Sequence, residues 1–184
     1  MNVRSGRLIY LIGPSGAGKD TVLRWLARHQ PQPAQLRIAR RTITRAADDP
    51  AETHEAVTPE EFVALLRAGA FALHWEANGL RYAIRREELL PLADGLSVVV
   101  NGSRAQLQQT RRLYPDLFAV HLSTPPELLR QRLLARGRES SDMIDTRLTR
   151  NSQLSPVDVD AEVLNDDTPE RAGLRLLAAF GLHR

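Results

Sequence analysis

The chain has no cysteine, and of its 25 basic residues a single one, Lys19, is lysine. Without cysteine there are no disulfides and no thiolate metal sites, which suits a reducing compartment, so a cytoplasmic protein is expected. No run of about 18 apolar residues occurs, so no membrane-spanning helix is expected. The apolar stretch near the N-terminus is too short for a secretory core and runs straight into a glycine loop. Aromatic residues are scarce at 5% and the arginines are scattered rather than blocked, which argues against a nucleic-acid binder. Repeats and low-complexity tracts are also missing. What remains is ordinary for a globular protein: 184 residues, 42% hydrophobic, 26% charged, net charge +3. That length suits one domain with small inserted flaps.

The one lysine stands in GPSGAGKDT, residues 13–21. Gly13, Gly18 and Lys19 fit the phosphate-loop pattern of glycine, four residues, glycine, lysine, then serine or threonine. The glycines let backbone N–H groups converge on phosphate oxygens, and a following helix turns its positive end toward them. A compact ammonium fits between β- and γ-phosphates where a planar guanidinium would not. Gly13, Pro14, Ser15, Gly16, Ala17, Gly18, Lys19, Asp20 and Thr21 are therefore the candidate ATP-binding residues. Asp20 stands where a hydroxyl is usual. It is either an acid favoured by the helix dipole or a carboxylate that reaches magnesium directly or through water.

Around the loop the pattern is α/β. Continuous apolar segments at 7–13, 36–44, 96–102, 116–123 and 161–166 read as buried strands. Helices are expected at 20–30, 86–95, 103–114, 124–137, 140–151 and 168–180. Thr58-Pro59-Glu60-Glu61 opens another, and Asn78-Gly79 marks a hairpin within 70–84. Residues 45–57 read as a loop or flap. Together these predict a P-loop NTPase fold, with a parallel doubly wound sheet in a single domain over 1–184. A hairpin-containing acceptor flap is expected at about 36–90 and an arginine-rich lid at about 132–150.

Arg132 and Arg136 lie four apart on one helix face, and Arg147 follows the next turn. Such a cluster beside a phosphate loop suits neutralisation of a transferring phosphoryl group. Arg41 and Arg45 flank RTITR at the flap entrance, where an acceptor's own phosphate would need cations. His54, His74 and His121 are isolated, and no metal-ligand cluster is evident.

With GPSGAGK, RTITR, TPEEF, the hairpin ending in Tyr82, RLLARGRE and NDD at 165–167, the chain resembles the guanylate kinase family along nearly its whole length. That resemblance implies ATP as phosphoryl donor, Mg2+, and Asn165 beside the adenine. The base-reading positions depart from the family: its guanine-binding glutamate falls on Leu73, and its paired acids fall on Val99 and Asn101. A site that keeps phosphate handling and loses base reading implies a phosphorylated acceptor without guanine. GPSGAGKDT, THEAVTPEEF, LHWEANGLRYAI and VVVNGSRA resemble one branch of the superfamily, which acts in phosphonate breakdown. The resemblance implies phosphorylation of ribose 1,5-bisphosphate to 5-phosphoribosyl 1-diphosphate (PRPP). On that reading Arg41, Arg45 and Tyr82 hold the sugar phosphates, and Asn101 and Ser103 bond ribose hydroxyls or magnesium waters. The partners expected are ATP and a small sugar phosphate, with no nucleic acid and no membrane, and a homodimer is left open. The competing readings are a true guanylate kinase and a non-catalytic phosphopeptide-binding module of the same fold.

Overall fold

The computed structural model describes residues 6–29, 36–45, 53–135, 137, 141–153 and 158–181, with the backbone alone for 147 and 150–153. Strand β1 (Leu8–Ile12) is buried along its whole length, as an unbroken apolar run requires when both faces of a sheet are covered. With β2 (Leu36–Ile38), β7 (Ser97–Asn101), β8 (Phe118–Ser123) and β9 (Ala161–Leu164) it makes a parallel five-stranded sheet. The order is β2-β7-β1-β8-β9, so the glycine loop leaves the central strand. The connections reverse direction at that strand, and in open α/β sheets this is where ligands bind.

The expected strand over 36–44 is corrected: it is two strands belonging to different sheets. β2 ends at Ile38, and β3 (Arg41–Ile43) joins a second sheet with β4 (Glu55–Ala56), β5 (Phe71–Ala77) and β6 (Leu80–Arg85) in the order β4-β3-β6-β5. The break is imposed from far away in sequence. Ala39 N–H donates to the Val99 carbonyl at 2.9 Å, and Arg40 N–H to the Glu88 carboxylate at 2.9 Å. Residues 86–95 form a 3-10 helix over Arg86–Leu92, with Pro91 inside it, rather than an α-helix. The segment after β7 begins as a 3-10 turn at Arg104–Gln106 before helix α3 (Leu107–Leu113).

The chain divides into two compact units, Met1–Tyr10 with Gln32–Phe118, and Leu11–Pro31 with Ala119–Arg184. In the first, helix α2 (Pro59–Arg67) starts with the predicted capping box. Thr58 Oγ1 accepts from Glu61 N–H at 3.1 Å, and Glu61 Oε2 accepts from Thr58 N–H at 2.7 Å. The helix lays Phe62 on Phe71 and Ala83 of the second sheet, with ring centroids 4.8 Å apart. The β5–β6 hairpin turns at Asn78 (φ 52°) and Gly79 (φ 74°), both in the left-handed region that a two-residue hairpin loop demands. Tyr10, fully buried on β1, accepts a hydrogen bond from Ser103 N–H at 3.1 Å, and burial raises its pKa.

In the second unit, helix α1 (Lys19–His29) buries Val22, Leu23 and Leu26. Helices α4 (Pro126–Ala135) and α5 (Ser141–Gln153) share a cluster of Leu129, Leu133 and Ile144. Helix α6 (Pro169–Ala179) packs its Gly173 against the ring of Trp25 on α1. Glycine inside a helix costs about 1 kcal/mol relative to alanine, so it is retained here for the close approach. Gly173→Leu is expected to destabilise the protein by about 3 kcal/mol, lowering Tm by about 10 °C in a thermal melt. An unchanged Tm would mean that the two helices separate without cost. Among the described residues no helix is long and apolar enough to cross a membrane.

Candidate active site

The loop between β1 and α1 owes its shape to its glycines. Gly16 and Gly18 have φ of 90° and 85°, conformations that side chains rarely adopt. A side chain at Gly13 would meet the Leu122 carbonyl oxygen at 2.5 Å, and one at Gly16 would meet Leu129 and Leu133 of α4 at 2.9 Å. The loop is therefore seated on β8 and α4. Lys19 Nζ donates back to the carbonyls of Gly13 at 2.7 Å and Pro14 at 3.1 Å, which fixes the ammonium inside the loop's own ring.

One loop carbonyl is held from outside. The Ala17 oxygen accepts from Asn165 Nδ2 at 2.7 Å, from Thr124 Oγ1 at 3.3 Å and, at a longer 3.5 Å, from Arg132 Nη1. Arg132, singled out for phosphoryl transfer, is thus brought to the loop, half-buried, and its burial lowers its pKa. Arg136 lies outside the described residues. Arg147 lies on α5, and its helix position is all that is described of it. Asp20 and Thr21 are exposed in the first turn of α1. Among the described residues no three His, Asp or Glu side chains form a metal-binding group.

Strand register sorts the expected acceptor residues in the first unit. Arg41 lies opposite Ile84, Ile43 opposite Tyr82, Leu73 opposite Ile84 and Trp75 opposite Tyr82. Residues directly opposite share a face of the sheet, and so do residues two apart. Arg41, Tyr82, Leu73 and Ile84 therefore lie on one face, with Tyr82 stacked on Trp75 at a centroid distance of 5.7 Å. Arg45 follows β3 half-buried, and its carbonyl is within 3.2 Å of His54 Nε2. Asn101 is buried at the end of β7. Ser103 precedes the 3-10 turn without a side-chain capping bond, so its hydroxyl is not used as a cap.

The opposite face holds a cluster that the sequence reading missed. Arg85 grips Glu55 through Nε to Oε2 at 2.7 Å and Nη2 to Oε1 at 2.6 Å, and Thr42 Oγ1 donates to the same carboxylate at 2.7 Å. Arg40 adds bonds to the carbonyls of Thr53 at 3.0 Å and His54 at 3.4 Å. A cavity of about 290 Å³ is lined by Arg40, Thr42, Glu55, Arg85, Glu87 and Glu88. Three carboxylates against two guanidiniums, one already neutralised by Glu55, do not suit a bisphosphate. This cluster fastens β4 to β3 and β6 rather than receiving an acceptor. No local pattern could have signalled it, since Glu55 and Arg85 are 30 residues apart.

The hydrogen bonds from Arg85 hold the Glu55 carboxyl below the usual glutamate range. Because the folded value lies below the unfolded one, the pair's contribution is complete above about pH 4.3 and is lost as pH falls through the lowered folded value. Thermal melts from about pH 7 to about pH 3 should show a steeper acid loss in wild type than in Glu55→Gln, which starts lower and stays flatter. Parallel curves would show that this carboxylate is not linked to stability.

A strand, a glycine loop closed by its lysine and a helix, on a parallel sheet with an arginine at the loop, define a P-loop phosphotransferase. The family described as "AAA domain" matches residues 9–154. Over 151 residues the chain is 54% identical to the ribose 1,5-bisphosphate phosphokinase PhnN of Pseudomonas paraeruginosa, covering 82% of this chain and 81% of that protein. It is 45% identical to the protein of the same name from Thiobacillus denitrificans, covering 94% and 91%. The crystal structure of guanylate kinase from Anaplasma phagocytophilum superposes with a TM-score of 0.71 at 19% identity, covering 97% and 86%, a likeness of fold alone. The chain belongs to the ribose 1,5-bisphosphate phosphokinase PhnN family.

Proposed function

We propose that this chain transfers the γ-phosphoryl group of ATP to the 1-phosphate of ribose 1,5-bisphosphate, giving PRPP, as a cytoplasmic step of phosphonate catabolism. The observation that carries this reading is the face shared by Arg41, Tyr82, Leu73 and Ile84. It offers a cation and a phenol suited to phosphate, while the position aligned with the family's guanine-binding glutamate is the buried, apolar Leu73. The relatives' shared name supports the same acceptor.

Lys19 and the loop amides would hold the β- and γ-phosphates, and Arg132, with Arg136 and Arg147, would neutralise the group in transit. The acceptor oxygen belongs to a phosphate whose second pKa is about 6, so it is already ionised at neutral pH and no general base is needed. Arg41, Arg45 and Tyr82 would anchor the acceptor, with Asn101 and Ser103 toward its hydroxyls. An exposed carboxylate and hydroxyl at Asp20 and Thr21 are oxygen donors of the kind that magnesium accepts alongside water and phosphate. Asp20 would hold that ion directly or through water, and the ion would supply charge shielding of the phosphates. The deciding experiment is an ADP-release assay comparing ribose 1,5-bisphosphate with GMP. Faster turnover of GMP would overturn the assignment in favour of a guanylate kinase. ATP turnover with neither acceptor would overturn it outright.

A further inference from the structure

We infer that Asn165, assisted by Thr124, is a positioning residue that aims the Gly18 N–H at the nucleotide phosphates by holding the carbonyl of Ala17. The inference rests on reading residues 13–21 as a phosphate site and assigns Asn165 a task other than contact with the base.

In a planar trans peptide the carbonyl of one residue and the N–H of the next point in opposite directions. No cis peptide occurs among the described residues. Whatever fixes the Ala17 oxygen therefore fixes the direction of the Gly18 N–H. The Ala17 oxygen is gripped at 2.7 Å by Asn165 Nδ2 and at 3.3 Å by Thr124 Oγ1. Both donors stand on rigid ground. Ser123 pairs with Leu164 across β8 and β9, and Asn165 N–H donates to the Ser123 carbonyl at 2.8 Å. The ends of two adjacent strands thus deliver two side chains to one carbonyl, which is held toward them, and the amide behind it turns the other way.

Glycine at 18 is part of the same device. A side chain there would lie 2.7 Å from Asn165 Nδ2, so the amide reaches the loop only because that position has none. Ala17 is wholly buried and Asn165 is 3% exposed, so water is a poor substitute for the lost donor. Asn165 Oδ1 is buried too and has no hydrogen-bond partner among the described residues. It is the atom through which a contact to the adenine would run if the residue served the base instead.

Binding of MgATP and of magnesium tripolyphosphate to the full chain, measured by calorimetry, separates the two roles. Asn165→Ala is expected to weaken both ligands by the same factor, about tenfold, with Tm within a few degrees of wild type. The KM for ATP should rise while the KM for the acceptor stays unchanged. A loss confined to ATP would overturn the inference and assign Asn165 to the base. Unaltered binding of both would overturn it as well. If Asn165→Ala does not fold, Thr124→Val is read in its place, with about threefold weakening of both ligands expected and no change overturning the inference. Wild type binding neither ligand would instead remove the phosphate-loop reading and the inference with it.

Discussion

Lys19→Met is expected to lower kcat by about 10²- to 10³-fold while leaving the melting temperature nearly unchanged. The ammonium is held by the Gly13 carbonyl at 2.7 Å and the Pro14 carbonyl at 3.1 Å, so its position is set before any phosphate arrives. A preorganised positive charge where negative charge is redistributed costs no reorganisation during transfer. Removing one such donor typically raises the barrier by about 3–4 kcal/mol. Methionine keeps the length and apolar stem of the side chain, so the loss reads as charge rather than packing. Lys19→Arg should not rescue activity, because a planar fork cannot sit between two carbonyls of one tight loop as a compact ammonium does. The measurement is coupled ADP release under saturating ATP and acceptor. A kcat within tenfold of wild type would mean that this lysine is not the phosphate-facing charge.

Local signals carried much of the fold into view, and the reason is physical. The phosphate loop is legible because its conformation depends on glycines at fixed places and on one lysine in a chain that otherwise uses arginine. Thr58 and Glu61 are legible because a capping box closes within four residues, and Asn78-Gly79 because a tight hairpin needs two left-handed residues in a row. What stayed hidden was determined by distant partners. The break at Ala39 and Arg40 depends on Val99 and Glu88, and nothing in LRIARRTIT marks it. The two-residue strand β4 exists because Glu55 is gripped by Arg85 and Thr42. In the candidate site, Lys19 and Arg132, both in contact with loop carbonyls, are picked out by type and spacing. Thr124 was not, because its contact with Ala17 spans 107 residues. Asn165 came from family resemblance, and its contact with the loop spans 148 residues.

GMP is expected to be at least about 10³-fold poorer in kcat/KM than ribose 1,5-bisphosphate. The resemblance to guanylate kinases aligns the guanine-binding glutamate with Leu73 and one of the paired acids with Val99. Leu73 is 5% exposed and Val99 is 0% exposed, and neither can accept or donate a hydrogen bond. Ile84, directly across from Leu73, is also fully buried. A guanine whose amide and amino groups were set against Leu73 and Val99 would lose water there and gain no partner from either side chain. Each unpaired group costs about 1–3 kcal/mol, so two of them at the middle of that range already give about 10³ in rate. A ribose bisphosphate has no such edge to satisfy and, on the proposed reading, would bring anions to Arg41 and Arg45. The same argument predicts that Arg41→Met, on β3, raises the acceptor KM by about tenfold or more and leaves the ATP KM alone, as the loss of an acceptor anchor would. Comparable efficiencies for the two acceptors would show that phosphate anchoring alone sets selectivity and that Leu73 does not face the acceptor.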